Sequence, residues 1–379
     1  MSIFTAITKE TFLNTIWQTK PYVFSQAMPE LIDLIDGNEL AGLACEAEIE
    51  SRIIAGYEVF GQWTCQQGPF TEDTFSTLPE KNWTLLVQGM DQWIDEVRDI
   101  LQVFSFLPQW RLEDIMASYA PIGGGVGPHF DYYDVFLIQV SGSREWRLGQ
   151  CCDEATSLQD NDQVKLLAEF VTEETHLLQA GDMIYIPAGK AHWGVASSED
   201  CITFSVGFRA PSEKELLSTV FDNMIDGLSE HHRYKDNLAS IDEHPAKINN
   251  AAHQQLVEFI STLSAEKLQH AAEQAFGEQV TGPRYAPMSE LISIEKGEFE
   301  AVIAELIEAK EDLSIVTLAH SRLAFSDTQL FVNGEAYNTH ESFAESVCNG
   351  LIPYTLLTKA SVNILKDLLD NGDITLDGD

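Results

Sequence analysis

Residues 180–208 read AGDMIYIPAGKAHWGVASSEDCITFSVGF. Three short runs of β-forming residues stand in this stretch, Met183–Ile186, Trp193–Ala196 and Ile202–Phe208. Turn signals at Ala180–Asp182 and Pro187–Gly189 separate the first two from what surrounds them. The same texture extends upstream to about residue 113, through Ile115–Ala120, Val135–Val140, Glu145–Leu148 and His176–Gln179, with breaks at Gly123–Gly125 and Ser141–Ser143. No regular helical pattern intervenes between these runs, so a doubly wound parallel sheet is excluded. Many short antiparallel strands joined by tight turns predict a mainly β core, built as a barrel or a double-sheet jelly roll.

On either side of this core the pattern changes. In the first hundred residues, Phe12 to Trp17, Leu31 to Cys45 and Trp93 to Val103 space their apolar residues by three and four, which predicts helical and irregular segments. The β texture stops at Arg209-Ala210-Pro211. Ser212 and Glu215 then fit a capping box, and Leu216, Leu217, Val220, Phe221 and Met224 supply a helical stripe. Further helices are expected around Ile248–Leu263 and Ala265–Phe276, and a boundary near Thr281–Pro287. Beyond it the order is a helix at Phe299–Ile307, strand-like runs at Asp312–Ala319 and Gln329–Phe331, the turn signal Asn333-Gly334, and helices at Glu341–Asn349 and Lys359–Asp370. Three domains are therefore expected: 1–210 with the β core, 211–280 helical, and 281–379 a winged-helix-like α+β module.

The chain has 379 residues, of which 44% are hydrophobic, enough to build real cores. Its 22 Lys+Arg stand against 60 Asp+Glu, a net charge of −38. Such a surface repels phosphate backbones and argues against direct nucleic-acid binding. It attracts cations and basic proteins, or else reflects adaptation to a salty cytoplasm. The terminal module is acidic too, with 6 Lys+Arg against 17 Asp+Glu in 281–379, the wrong charge for a DNA-gripping winged helix. None of the six cysteines forms a Cys-x-x-Cys pair, so no thiolate zinc site or redox dithiol is visible. With neither a basic-then-apolar leader nor an apolar stretch of about 18–20 residues, the expectation is a soluble, cytoplasmic protein without membrane contact.

The passage Gly123-Gly-Gly-Val-Gly-Pro-His129-Phe-Asp131 carries the chemistry. On a strand, residues two apart share a face, so His129 and Asp131 would project together. The turn at Pro187–Gly189 delivers a third candidate, His192, to the start of the following strand. Two imidazoles and a carboxylate form the facial triad of a non-haem Fe(II) oxygenase, although zinc or manganese suits the same ligands. In Ser141-Gly-Ser-Arg-Glu-Trp-Arg-Leu148, alternation puts Arg144 and Trp146 on one face and Glu145 and Arg147 on the other. An inward arginine needs an anion, and the distal carboxylate of a dicarboxylate would satisfy it. A one-residue phase shift would give that role to Arg147.

The stretches PIGGGVGPHFDYYDVFLIQVSGSREWRLG, AGDMIYIPAGKAHWGVAS and FSVGFRAPSE closely resemble the bacterial JmjC-type ribosomal oxygenases of the cupin-4 group, with further likeness in LACEAEIESRI and KNWTLLVQGMDQW. The resemblance implies a double-stranded β-helix (jelly-roll, JmjC/cupin) and dependence on Fe(II), O2 and 2-oxoglutarate as cosubstrate. His129, Asp131 and His192 match the family's iron ligands and hence its catalytic centre, and Arg144 matches the residue that holds the distal carboxylate of 2-oxoglutarate. Thr203 and Ser205 are implied as further cosubstrate contacts, and Met116 and Tyr119 as lining the mouth where a peptide side chain enters. It also implies hydroxylation of an arginine β-carbon in ribosomal protein uL16 (50S L16), with 2-oxoglutarate decarboxylated to succinate, and a homodimer formed by the helical region. Two alternatives stay open: a histidyl hydroxylase of another ribosomal protein, and a metal-binding cupin that is not an oxygenase.

Overall fold

The computed structural model describes residues 3–56, 62–161, 163–226, 228–229, 231, 254, 257–258, 261, 265–284 and 296–377. Its contacts divide into two compact units, Met1–Ala210 and Pro211–Asp379.

Among the described residues the first unit carries eleven strands: β1 (Tyr22–Phe24), β2 (Ser51–Ala55), β3 (Thr64–Gln67), β4 (Trp83–Val87), β5 (Leu112–Ala120), β6 (Asp134–Ser141), β7 (Ser143–Cys151), β8 (Glu174–Gln179), β9 (Met183–Ile186), β10 (Lys190–Ala196) and β11 (Cys201–Phe208). Eight form one sheet in the order β1-β9-β6-β11-β5-β4-β2-β3, and β10-β7-β8 form a second. Every neighbouring pair is antiparallel. The seven runs read as strands between residues 113 and 208 are β5 to β11.

Both faces of the large sheet are buried at its centre, and β6 shows how. Val135 and Leu137 join Trp146, Leu148, Leu178, Ile184 and Ile186 in a cluster shared by the two sheets. Phe136 and Ile138 point the other way, into a larger cluster with Phe12, Met28, Leu40 and Phe104 from the N-terminal segments. A strand covered on both sides needs no polar face, which is why Val135–Ile138 reads as one apolar run. Helix Gly37–Leu43, on the outer side, opens with a complete capping box, Asp36 accepting from the Glu39 N–H and Glu39 from the Asp36 N–H.

The first hundred residues depart from expectation. Helices do form at Lys9–Thr15 and Gly37–Leu43, but β1 to β4 also arise there and extend the large sheet at both edges. Trp83–Val87 is buried at all five positions, so it carries no alternation by which to recognise it.

The second unit is α+β. Leu351–Ile352, Leu313–Thr317 and Ile374–Leu376 form one three-stranded sheet, and Leu323–Phe325, Gln329–Val332 and Glu335–Asn338 form another. Asn333 (φ 48°) and Gly334 (φ 86°) make the tight turn of the second, both left-handed as a two-residue hairpin of this hand requires. Helices Lys296–Ala309, Glu341–Cys348 and Lys359–Asp370 cover the sheets.

The division expected between 280 and 281 lies within the second unit. Helix Ala265–Thr281 lies so close to the second sheet that a Cβ on Gly277 would sit 2.3 Å from the Phe331 ring, and Gly334 N–H donates to Thr281 Oγ1 at 3.1 Å. The same helix meets Glu213–Asp226 through Asn223 Nδ2 donating to Glu278 Oε2 at 2.8 Å. The helix expected at Ile248–Leu263 falls mostly outside the described residues, as do 285–287 of the expected linker. All six cysteines are free thiols. Among the described residues no helix is long and apolar enough to cross a membrane.

Candidate metal centre and cosubstrate pocket

His129 lies in the connection between β5 and β6, and His192 on β10; the two form an isolated antiparallel bridge. His129 N–H donates to the His192 carbonyl at 3.1 Å and His192 N–H to the His129 carbonyl at 2.8 Å. Asp131 follows two residues on, its own carbonyl accepting from the Gly189 N–H at 2.7 Å. The segment is thus not the regular strand the spacing suggested. It runs flat against β10 because glycines permit it: a Cβ on Gly125 would lie 2.3 Å from the Gly194 carbonyl, and Gly127 is left-handed at φ +81°.

The bridge and the alternation bring three ligand atoms together. Asp131 Oδ2 stands 3.6 Å from His192 Nε2 and 3.9 Å from His129 Nε2, and all three ligand positions fall within 4.8 Å of one another. His129 Nδ1 lies 2.9 Å from the Gly127 carbonyl and His192 Nδ1 3.0 Å from that of Lys190. A carbonyl only accepts, so each Nδ1 carries the proton and each Nε2 presents its lone pair to the centre. Burial, and then the neighbouring His129, pushes His192 down to about 4, so it is neutral near pH 7. Two imidazoles beside a carboxylate fit a divalent cation.

Along β7, Arg144, Trp146 and Leu148 are buried while Glu145 and Arg147 face outward. Arg147 is accounted for: it pairs with Glu145 at 2.6 Å and lies over the Trp193 ring at 5.0 Å. Arg144, only 3% exposed, meets Ser118 Oγ through Nη2 at a long 3.5 Å and lies over Trp146 at 5.8 Å. Its Nε is buried without a partner, and among the described residues no carboxylate pairs with it. A buried guanidinium so poorly compensated is a socket for an anion. Trp146 in turn stands 6.0 Å, ring to ring, from His192, so socket and metal ligands share one interior.

The register between β5 and β11 sets Thr203 opposite Ser118 and Ser205 opposite Met116, which places all four on one face. Thr203 is buried and donates to Gln139 Oε1 at 3.0 Å, while Ser118 Oγ donates to the Thr203 carbonyl at 3.2 Å. Met116 packs with Ile54, Leu86, Trp63 and Trp193. Tyr119, three residues from Met116, emerges on the opposite face. Its hydroxyl donates to Asp200 at 2.9 Å, its ring meets Trp83 at 5.7 Å, and burial with that hydrogen bond pushes it up to about 12. The expected pairing of Met116 with Tyr119 at one mouth is corrected by strand alternation. Sequence reading missed Ser118 and Gln139. Ser118 was accessible as the residue two beyond Met116, whereas Gln139 needed the register.

Comparison with known proteins gives the same picture. The JmjC domain family matches residues 99–216. A probable ribosomal oxygenase of Haemophilus influenzae is 35% identical over 297 residues, which span 74% of this chain and 70% of that protein. The chain belongs to the ribosomal oxygenase family. The ribosomal protein uL16 3-hydroxylase of Escherichia coli is 38% identical over 239 residues, 62% of each chain. The structure of YcfD, a ribosomal oxygenase from Escherichia coli, in complex with cobalt and 2-oxoglutarate covers 98% of this chain and 99% of that one, at a TM-score of 0.78 and 29% identity. YcfD has also been solved with cobalt and succinic acid. This ribosomal oxygenase is accordingly an Fe(II)- and 2-oxoglutarate-dependent dioxygenase, with His129, Asp131 and His192 as its metal site.

Proposed function

We propose that this ribosomal oxygenase hydroxylates the β-carbon (C3) of an arginine in ribosomal protein uL16. The 38% identity with the Escherichia coli uL16 3-hydroxylase carries the reading. In it, His129, Asp131 and His192 would hold Fe(II), three protein ligands being few enough to leave room for cosubstrate and O2. Bound Fe(II) supplies C–H oxidation coupled to decarboxylation of 2-oxoglutarate to succinate and CO2. Arg144 takes the distal carboxylate, with Ser118, Thr203 and Ser205 on the wall beside it. Met116 lines the path of the substrate side chain, and Tyr119, facing away, has no part in it. No general base is required, so none is assigned.

The remaining assignments support that reading. Residues 1–210 form the double-stranded β-helix catalytic domain, 211–280 the helices of a homodimer, and 281–379 a winged-helix-like module. Leu217, Phe221 and Ile225, on helix Glu213–Asp226, are each more than half exposed and spaced by four, an apolar stripe that a second copy would cover. A net charge of −38 draws a basic ribosomal protein in the cytoplasm and disfavours direct contact with nucleic acid.

The test is incubation of Fe(II)-loaded enzyme with 2-oxoglutarate, O2 and recombinant uL16, followed by tandem mass spectrometry of the uL16 peptides. One added oxygen on a single arginine, absent without 2-oxoglutarate and with His129→Ala, is the expected result. Succinate formed without any change to uL16 would keep the oxygenase and reject this substrate; a histidine modified in another ribosomal protein would replace it.

A further inference from the structure

Two buried nitrogen donors on the inner face of β7 have no partner among the described residues: Arg144 Nε and, two residues on, Trp146 Nε1. The first belongs to the anion socket already described. The second is unaccounted for. Trp146 is only 5% exposed, and an indole N–H so deeply buried ordinarily finds an acceptor, because nothing else repays the water it gave up on folding. Its surroundings supply none. The other buried side chains of its cluster are Val135, Leu137, Leu148, Leu178, Ile184 and Ile186, all aliphatic.

The neighbouring strand fixes how the ring lies. Trp146 pairs with Gly194 of β10, and a Cβ there would come within 2.7 Å of the indole Cζ3 and Cη2 and 2.9 Å of Cε3. Those atoms form the outer edge of the six-membered ring. Gly194 therefore seats that edge, and Nε1, across the indole from it, is the part turned away from β10. Along the same ladder Arg144 lies opposite Ala196, Trp146 opposite Gly194 and Leu148 opposite His192, which puts Trp146 midway between socket and metal ligand. Arg144 Cζ stands 5.8 Å from the indole centre, and the His192 ring 6.0 Å. A dicarboxylate spanning that interval passes beside the indole and brings carboxylate oxygens, the acceptors this donor lacks.

We propose that Trp146 is a cosubstrate-binding residue, its Nε1–H donating to a carboxylate oxygen of 2-oxoglutarate. The assignment rests on the cosubstrate placement proposed above and is independent of uL16. A charged acceptor in so apolar a setting makes this a strong hydrogen bond. Trp193 supplies the comparison. Its Nε1 is likewise buried without a partner, but it pairs with Arg147 on the outer face of the same small sheet, away from the cosubstrate.

The test uses the full-length protein loaded with Zn(II) and isotope-labelled at its seven tryptophans, and reads the indole N–H resonances as 2-oxoglutarate is added. The Trp146 signal is the one missing from Trp146→Phe. It should move downfield on binding and exchange more slowly with solvent, while the Trp193 signal stays in place. Bound 2-oxopentanoate, which keeps the chelating end and lacks the distal carboxylate, identifies the acceptor: a retained shift assigns the carboxylate at the metal, a lost one the distal carboxylate. Benzothienylalanine in place of Trp146 exchanges the N–H for sulfur and keeps the ring shape. It should raise the 2-oxoglutarate Kd about tenfold by calorimetry. An unmoved Trp146 resonance with 2-oxoglutarate bound, or a wild-type Kd for the benzothienylalanine protein, would overturn the contact and leave the cosubstrate assignment intact. If calorimetry shows no binding of 2-oxoglutarate to the wild type, the cosubstrate placement fails and the indole contact fails with it.

Discussion

Arg144 and His192 stand on neighbouring strands of the small sheet, four residues apart along one buried face: Arg144 lies opposite Ala196, and His192 opposite Leu148. At about 3.3 Å per residue the two backbone positions are about 13 Å apart, each with a side chain reaching inward. The anion socket and the metal ligand are thereby set at a fixed spacing by a single antiparallel ladder, which suits a short dicarboxylate held at both ends.

Arg144→Ala should raise the KM for 2-oxoglutarate tenfold or more, a loss of about 1.4 kcal/mol or greater. Arg144→Lys should recover part of it, since a lysine supplies the charge without the two-pronged fork. Initial rates of succinate formation against 2-oxoglutarate concentration measure both.

Arg147→Ala is the matching control. That guanidinium is outside, paired with Glu145 and stacked on Trp193. Its removal should leave the 2-oxoglutarate KM within about twofold and cost about 1 kcal/mol or less of stability. A large KM effect would show that the strand is out of phase with the structure.

Removal of one metal ligand should abolish binding rather than weaken it slightly. His129→Ala and Asp131→Ala should each fail to take up one equivalent of Fe(II) in an anaerobic titration, while circular dichroism shows the fold retained. Full stoichiometry in either variant would contradict the triad.

His192 gives the apo-protein a pH dependence of definite sign. Its folded value is about 4 against an ordinary 6.5, because burial disfavours the imidazolium. Above pH 6.5 the group is neutral in both states and contributes nothing. As pH falls from 6.5 towards 4, the unfolded chain binds a proton that the folded one refuses, so stability declines by roughly 3 kcal/mol at most. Urea denaturation of apo-enzyme at pH 7 and pH 5 should show the loss, and His192→Gln should lessen it.

The dimer proposed above can be tested in the full chain. Phe221→Glu places a charge on an exposed apolar position, so the folded protomer should be unaffected and sedimentation should shift from dimer to monomer. A persistent dimer would move the interface away from helix Glu213–Asp226.

Much of the catalytic unit was legible because its strands are short, apolar and closed by Gly, Pro and Asp. Met183–Ile186 lies between Gly181-Asp182 and Pro187, and its boundaries match the structure at both ends. β1 to β4 were not legible, for opposite reasons. Tyr22–Phe24 is too short to show a period, while Trp83–Val87 has no polar face and is followed at once by helical turns. At the site, residue type and spacing found the ligands even though their segment is an irregular loop, since the single bridge to His192 keeps the two-residue alternation. Parity, however, was misjudged for Tyr119, and the Gln139–Thr203 contact depends on which strands lie side by side, information no local window contains.

The reciprocal backbone bond between His129 and His192 has one more implication. Two ligands drawn from distant parts of the chain are clasped by backbone bonds in which the metal takes no part, so the loop between them is closed by the chain itself. Iron can therefore be withdrawn and restored like a key from a lock that keeps its shape. A chelated sample of this protein should remain folded and regain full activity on reloading, unlike small domains whose metal is their only fastening.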